Sequence, residues 1–170
     1  MNFLKLKVMK SLLNRAKYID EPFVRHRLEQ LYPNSRFSLG DVESDWEHAD
    51  IEMTTQTGVS YKIDVKRPLP KYLNSPNFTF IFYKNDKVYP LEGNGYIAFI
   101  DDKTGDIYLV SYSKMKNYID KFPNITNIPG IKYIILNKQF LVTDKNTIIK
   151  GNKSSSDFLI KNSNPEDFCF

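Results

Sequence analysis

The chain has 170 residues, 41% hydrophobic and 26% charged, with a formal net charge of +4. That is enough for one domain with a buried core and too short for two ordinary ones, while the mild basic excess leans towards polyanionic partners without requiring one. The single cysteine, Cys169, excludes an internal disulfide and a thiolate zinc cage, and with only His26 and His48 a multi-histidine centre is excluded, so any metal is a hard cation held by carboxylates.

The first expected element is a helix over residues 3–17, with Leu4, Val8 and Leu12 on one stripe. Lys5, Lys7 and Lys10 break up its apolar run, and no 18-residue apolar stretch occurs anywhere. The expectation is therefore a soluble protein of the cytoplasm, without a membrane span. Abundant Lys, Asn, Ile and Tyr point to an AT-rich coding sequence, as in some bacteria and their phages.

"DEPFVRHRLEQLYP" predicts a second helix, with Asp20 as N-cap, Pro22 in the first turn and Pro33 just past the end. Its apolar positions are Phe23, Val24, Leu28 and Leu31, and Glu21 lies in its first turn. A polar stretch follows, with acids at 41, 43, 45, 47 and 50. Strands are expected at 49–55 and 59–67, then at "NFTFIFY", "YIAFI" and "DIYLVSY". "SKMKNYIDKF" reads as a helix capped by Ser113 and ended by Pro123, and "IKYIILN" as a further strand. One domain over 1–150 and a tail over 151–170 complete the organisation.

The segment "HADIEMTTQTGVSYKIDVKRP" carries the chemistry. In a strand alternate side chains share a face, which puts Asp50 and Glu52 on one side and Ile51 and Met53 on the other. On the second strand Lys62, Asp64 and Lys66 share a face. A three-residue loop, Gln56-Thr57-Gly58, with glycine in the left-handed position, pairs Thr55 with Val59, Ile51 with Ile63 and Glu52 with Lys62. The same register sets Asp50 opposite Asp64. Two carboxylates ~5 Å apart repel by roughly 3 kcal/mol at an effective dielectric of about 20. A solvated charged face with neighbouring lysines, a raised pKa or a bound cation each resolve that repulsion.

An acid on one strand, a turn, then Asp64-Val65-Lys66 on the next resembles the PD-(D/E)xK nuclease superfamily. That superfamily includes many restriction enzymes, archaeal-type Holliday-junction resolvases and some phage and intron-encoded endonucleases. The upstream Glu21-x-x-Val24-x-x-x-Leu28 is similar to the family's first helix, whose glutamate often points into the site. The resemblance covers about residues 21–67, with "YIAFI" as a further core strand. It departs from the family in having Ala49 where many members have proline. It departs again at residues 68–96, which carry Pro68, Pro70 and Pro76 and read as strand where the family core places a helix.

The resemblance implies an α/β fold, a restriction-endonuclease-like mixed central sheet flanked by helices. The activity it implies is Mg²⁺-dependent hydrolysis of DNA phosphodiesters, with Mn²⁺ able to substitute. Asp50 and Asp64 become metal ligands, the Val65 carbonyl completes the protein's share of the shell, and Lys66 orients or activates the attacking water. Glu21 is a further ligand or supports one, or else simply complements its helix dipole. Lys62, Arg67 and Lys71 extend a cationic surface for the phosphate backbone, or are scattered surface charges. Glu52 is the cross-strand partner of Lys62. Asp45 is an extra ligand or a solvated loop acid, and His48 and Trp46 are structural. Duplex or branched DNA and a homodimer are the implied partners. The alternative is a protein of the same fold that binds nucleic acid or a protein, as an inhibitor does, without cutting.

Overall fold

The structure, a computed structural model, describes residues 19–39, 49–68, 74–122 and 125–151. The expected helix over 3–17, the acids at 41–47 with Trp46 and His48, Lys71 and the tail from 152 onwards lie outside those residues.

Helix α1 runs Glu21–Leu31, as its stripe predicts, and buries Phe23, Val24 and Leu28. Asp20 occupies the N-cap position as expected, but its backbone is already helical and its side chain makes no capping hydrogen bond. Its carboxylate is committed to Arg67 instead. After α1 come β1 (Arg36–Leu39), β2 (Ile51–Thr54), β3 (Ser60–Lys66), β4 (Asn77–Lys84), β5 (Lys87–Val88), β6 (Gly95–Ile100) and β7 (Ile107–Ser111). Helix α2 (Tyr112–Lys121), β8 (Ile131–Asn137), a short α3 (Lys138–Thr143) and β9 (Thr147–Ile149) complete the described chain. The cap of α2 is Ser111, whose hydroxyl accepts the Lys114 N–H, rather than Ser113 two residues later. Strand β1 emerges from a stretch that reads as polar, and β9 and α3 from segments with no clear period.

Six strands form a mixed sheet in the order β1-β2-β3-β6-β7-β9. Only the β3–β6 pair in it is parallel. The β2–β3 hairpin has the predicted register, with Ile51 against Ile63 and Glu52 against Lys62. At its turn the Thr55 N–H donates to the Val59 carbonyl at 2.8 Å, and Gly58 takes φ +87, which L side chains resist. Among the described residues the crossover from β3 to β6 passes through strands: β4 and β5, with β8, form a separate antiparallel sheet in the order β5-β4-β8. The alternation Phe78, Phe80, Phe82, all buried, explains the choice, because a period of two cannot line one face of a helix.

The two faces of the large sheet are covered differently. On one, α1 packs Phe23, Val24 and Leu28 against Ile51, Ile63, Ala98, Ile100 and Ile107. On the other, the small sheet and α2 bring Phe78, Phe80, Met115 and Tyr118 onto Ile97, Phe99, Tyr108 and Val110. Phe78 stacks on Phe99 with ring centroids 4.9 Å apart, joining the two sheets. The result is a mixed α/β architecture with a mixed central sheet flanked by helices. Among the described residues no helix is long and apolar enough to cross a membrane.

Candidate active site

Asp64 sits in the middle of β3, next to the parallel partner β6, where it pairs with Ile97. Residues paired across a ladder share a face, so Lys62, Asp64 and Lys66 look towards the side that carries Gly95, Ile97 and Phe99. This is the face covered by the small sheet, which is why Asp64 is only 6% exposed. Lys62, at the other end of the strand, is exposed and stands opposite exposed Glu52.

Asp50 precedes β2 by one residue and meets Asp64 as the register predicts. The Val65 N–H donates to Asp50 Oδ2 at 2.8 Å, and the Asp50 carboxyl lies close enough to Asp64 for its charge to act on it. Backbone direction accounts for the bond. The Lys62 N–H donates to the Asn94 carbonyl next to β6, so odd-numbered residues of β3 turn their peptide groups towards β2. Beyond Ile51 the ladder has ended, and the Asp50 side chain takes the place of the missing strand. The Val65 carbonyl faces the same gap.

Glu21 enters from the first turn of α1 and lies beside Asp50, whose charge acts on it. Asp50 neighbours both Glu21 and Asp64, and the Asp64 charge also acts on Glu21. Among the described residues no group of three or more His, Cys, Asp or Glu side chains is arranged to hold a metal ion. Burial, followed by the Asp50 and Asp20 charges, pushes the Glu21 carboxyl up to about 8. Burial also pushes Asp64 up to about 7, with Lys66 opposing the rise and Asp50 adding to it. Lys66 is thus close enough for its charge to act on Asp64, as expected for two residues on one face of a strand.

A tyrosine joins the group without any signal in the local sequence. Tyr112 begins α2, is 4% exposed, and has its ring directly over Gly95, where a Cβ would fall 2.2 Å from ring carbon Cε2. Its hydroxyl is held well above the ordinary tyrosine range by burial, then by the Asp64 and Asp50 charges. Only the absence of a side chain at position 95 admits the ring.

Arg67 corrects an expectation. Its side chain is 3% exposed, with Nε 2.5 Å from Asp20 Oδ1 and Nη1 paired with Asp102. It belongs to the interior and not to a cationic surface. No family model, curated protein or solved structure matches the chain.

Proposed function

We propose that the chain is a Mg²⁺-dependent DNA endonuclease of the PD-(D/E)xK type, with a restriction-endonuclease-like core. The observation that carries this reading is the meeting of Asp50 and Asp64 from neighbouring strands, beside Lys66 and under Glu21. Buried Asp64 beside half-buried Asp50 fits a hard divalent cation, since the cation can displace the proton that Asp64 holds more tightly than usual and offset the repulsion between the acids. Mg²⁺ keeps several waters and needs few protein ligands, so Asp50, Asp64 and the Val65 carbonyl suffice, with Glu21 available for a bound water.

Bound there, the cation supplies charge neutralisation at the phosphate and an acidified water. The chain's own residues do the rest. Asp50 and Asp64 fix the position of the phosphate relative to the sheet, and Lys66 orients the attacking water with its ammonium. Tyr112 and the small sheet close the inner wall and limit water to the outer side. Lys62, exposed on the same face, contacts the phosphate backbone beyond the cut. Cutting both strands of a duplex calls for two such sites, which a homodimer supplies.

The test is cleavage of supercoiled plasmid and of a four-way junction with Mg²⁺ or Mn²⁺. Cutting that disappears in Asp64→Ala and in Lys66→Ala supports the enzyme. DNA binding without cutting in either metal moves the chain to the alternative, a non-catalytic binding protein or inhibitor of this fold.

A further inference from the structure

We propose that Arg67 is the positioning residue of this site: its guanidinium clamps the start of α1 to the end of β3 and so holds Glu21 against the Asp50–Asp64 pair. The chain order makes the link short. Arg67 follows Lys66 directly, and its first partner, Asp20, directly precedes Glu21. Its second partner, Asp102, lies in the turn between β6 and β7, so one side chain ties together three elements that border the site.

Apolar packing alone does not set this geometry. Phe23, Val24 and Leu28 hold α1 on the sheet, but such contacts are non-directional and tolerate small slides of the helix. Nor does capping fix the start of α1, because Asp20 makes no cap bond. A buried planar guanidinium with Nε on one carboxylate and Nη1 on another defines position and direction together. A lysine keeps the charge but lacks the rigid fork that engages both acids.

The kinetic consequence rests on the nuclease reading, whereas the clamp itself does not, so two measurements on the full chain keep them apart. The first is amide hydrogen exchange in the wild type, in Arg67→Lys and in the triple variant Asp20→Asn/Arg67→Met/Asp102→Asn, which neutralises the guanidinium together with both of these carboxylates. Exchange over residues 24–28 is expected to rise at least ~10-fold in both variants while β6 and β7 stay protected. Unchanged exchange there overturns the clamp.

The second is single-turnover cleavage. Arg67→Lys is expected to lower the rate at saturating DNA by at least ~10-fold with the DNA Kd and its salt slope unchanged. Added to Glu21→Gln it is expected to slow the reaction no further, because it acts through Glu21. Fully additive losses overturn the proposal. So does weakened DNA affinity with a salt slope smaller by about one, which makes Arg67 a phosphate contact. A wild-type chain that cuts nothing refutes the nuclease reading alone, and the exchange measurement then decides the clamp.

Discussion

The Val65 backbone N–H donates to the Asp50 carboxylate at 2.8 Å, tying the acid before β2 to the strand that bears Asp64. A bond from an amide to a charged acceptor contributes about 1.5–3 kcal/mol, and here it holds two like charges together against their repulsion. An amide oxygen can accept the same bond without the charge. Asp50→Asn is therefore expected to raise the thermal midpoint at pH 8 by about 2–4 °C and to abolish Mn²⁺ binding by calorimetry. A lower midpoint contradicts the repulsion described here.

The raised carboxyls make stability depend on pH with a definite sign. Glu21 goes up to about 8 and Asp64 to about 7, whereas in the unfolded chain both ionise near pH 4. The folded state binds these protons more tightly, so their contribution is fully present below about pH 4 and is lost as pH rises through about 7 to 8. In EDTA the unfolding midpoint is expected to fall by roughly 5–10 °C between pH 5 and 8.5, the Asp64 share alone, with the more solvent-facing Glu21 discounted. Excess Mg²⁺ is expected to reverse the fall and to release protons on binding. A profile in EDTA that is flat, or rises with pH, is incompatible with this account.

Lys66 opposes the rise of the Asp64 carboxyl through its charge. Replacing it by methionine keeps the stem and removes the ammonium, so Asp64 is expected to titrate higher still, followed by carboxyl carbon NMR. Cleavage is expected to drop by about 10²–10⁴-fold, the range for loss of a group that handles the proton of an attacking water. An unchanged titration places the ammonium elsewhere.

Gly95 is a packing requirement of the site. A Cβ there lies 2.2 and 2.3 Å from ring atoms of Tyr112, a buried side chain with little room to move. Gly95→Ala is expected to destabilise the chain by about 1–3 kcal/mol in denaturant titrations. Adding Tyr112→Leu, which removes the opposing ring, is expected to recover part of that loss. Gly95→Ala at wild-type stability removes the close approach from the explanation of the site.

Local pattern settled a good deal of this protein. The alternation of residues 51–54 and 60–66, with a glycine suited to the left-handed turn, determined the hairpin register, and the register by itself brought Asp50 to Asp64. The apolar stripe of α1 and the runs that became β4, β6, β7 and β8 were equally legible, because amphipathic period is a property of neighbouring residues. The same reasoning missed β1, whose short edge strand needs only Phe37 to find the core, and it misplaced the cap of α2 by two residues.

Tertiary structure alone decided the rest. Arg67, one residue past the acid-x-lysine run, has the composition of a surface cation, yet Asp20 and Asp102, 47 and 35 positions away, draw it into the interior. Tyr112 reaches the acids only because Gly95 leaves a gap beneath its ring. Glu21 comes to Asp50 from a helix packed on the opposite face of the sheet, a meeting that no local pattern announces. Pairing along a hairpin follows from alternation and turn geometry, which the local sequence carries. The partner of a buried charge depends on which distant segments the core brings together, and no local period encodes that.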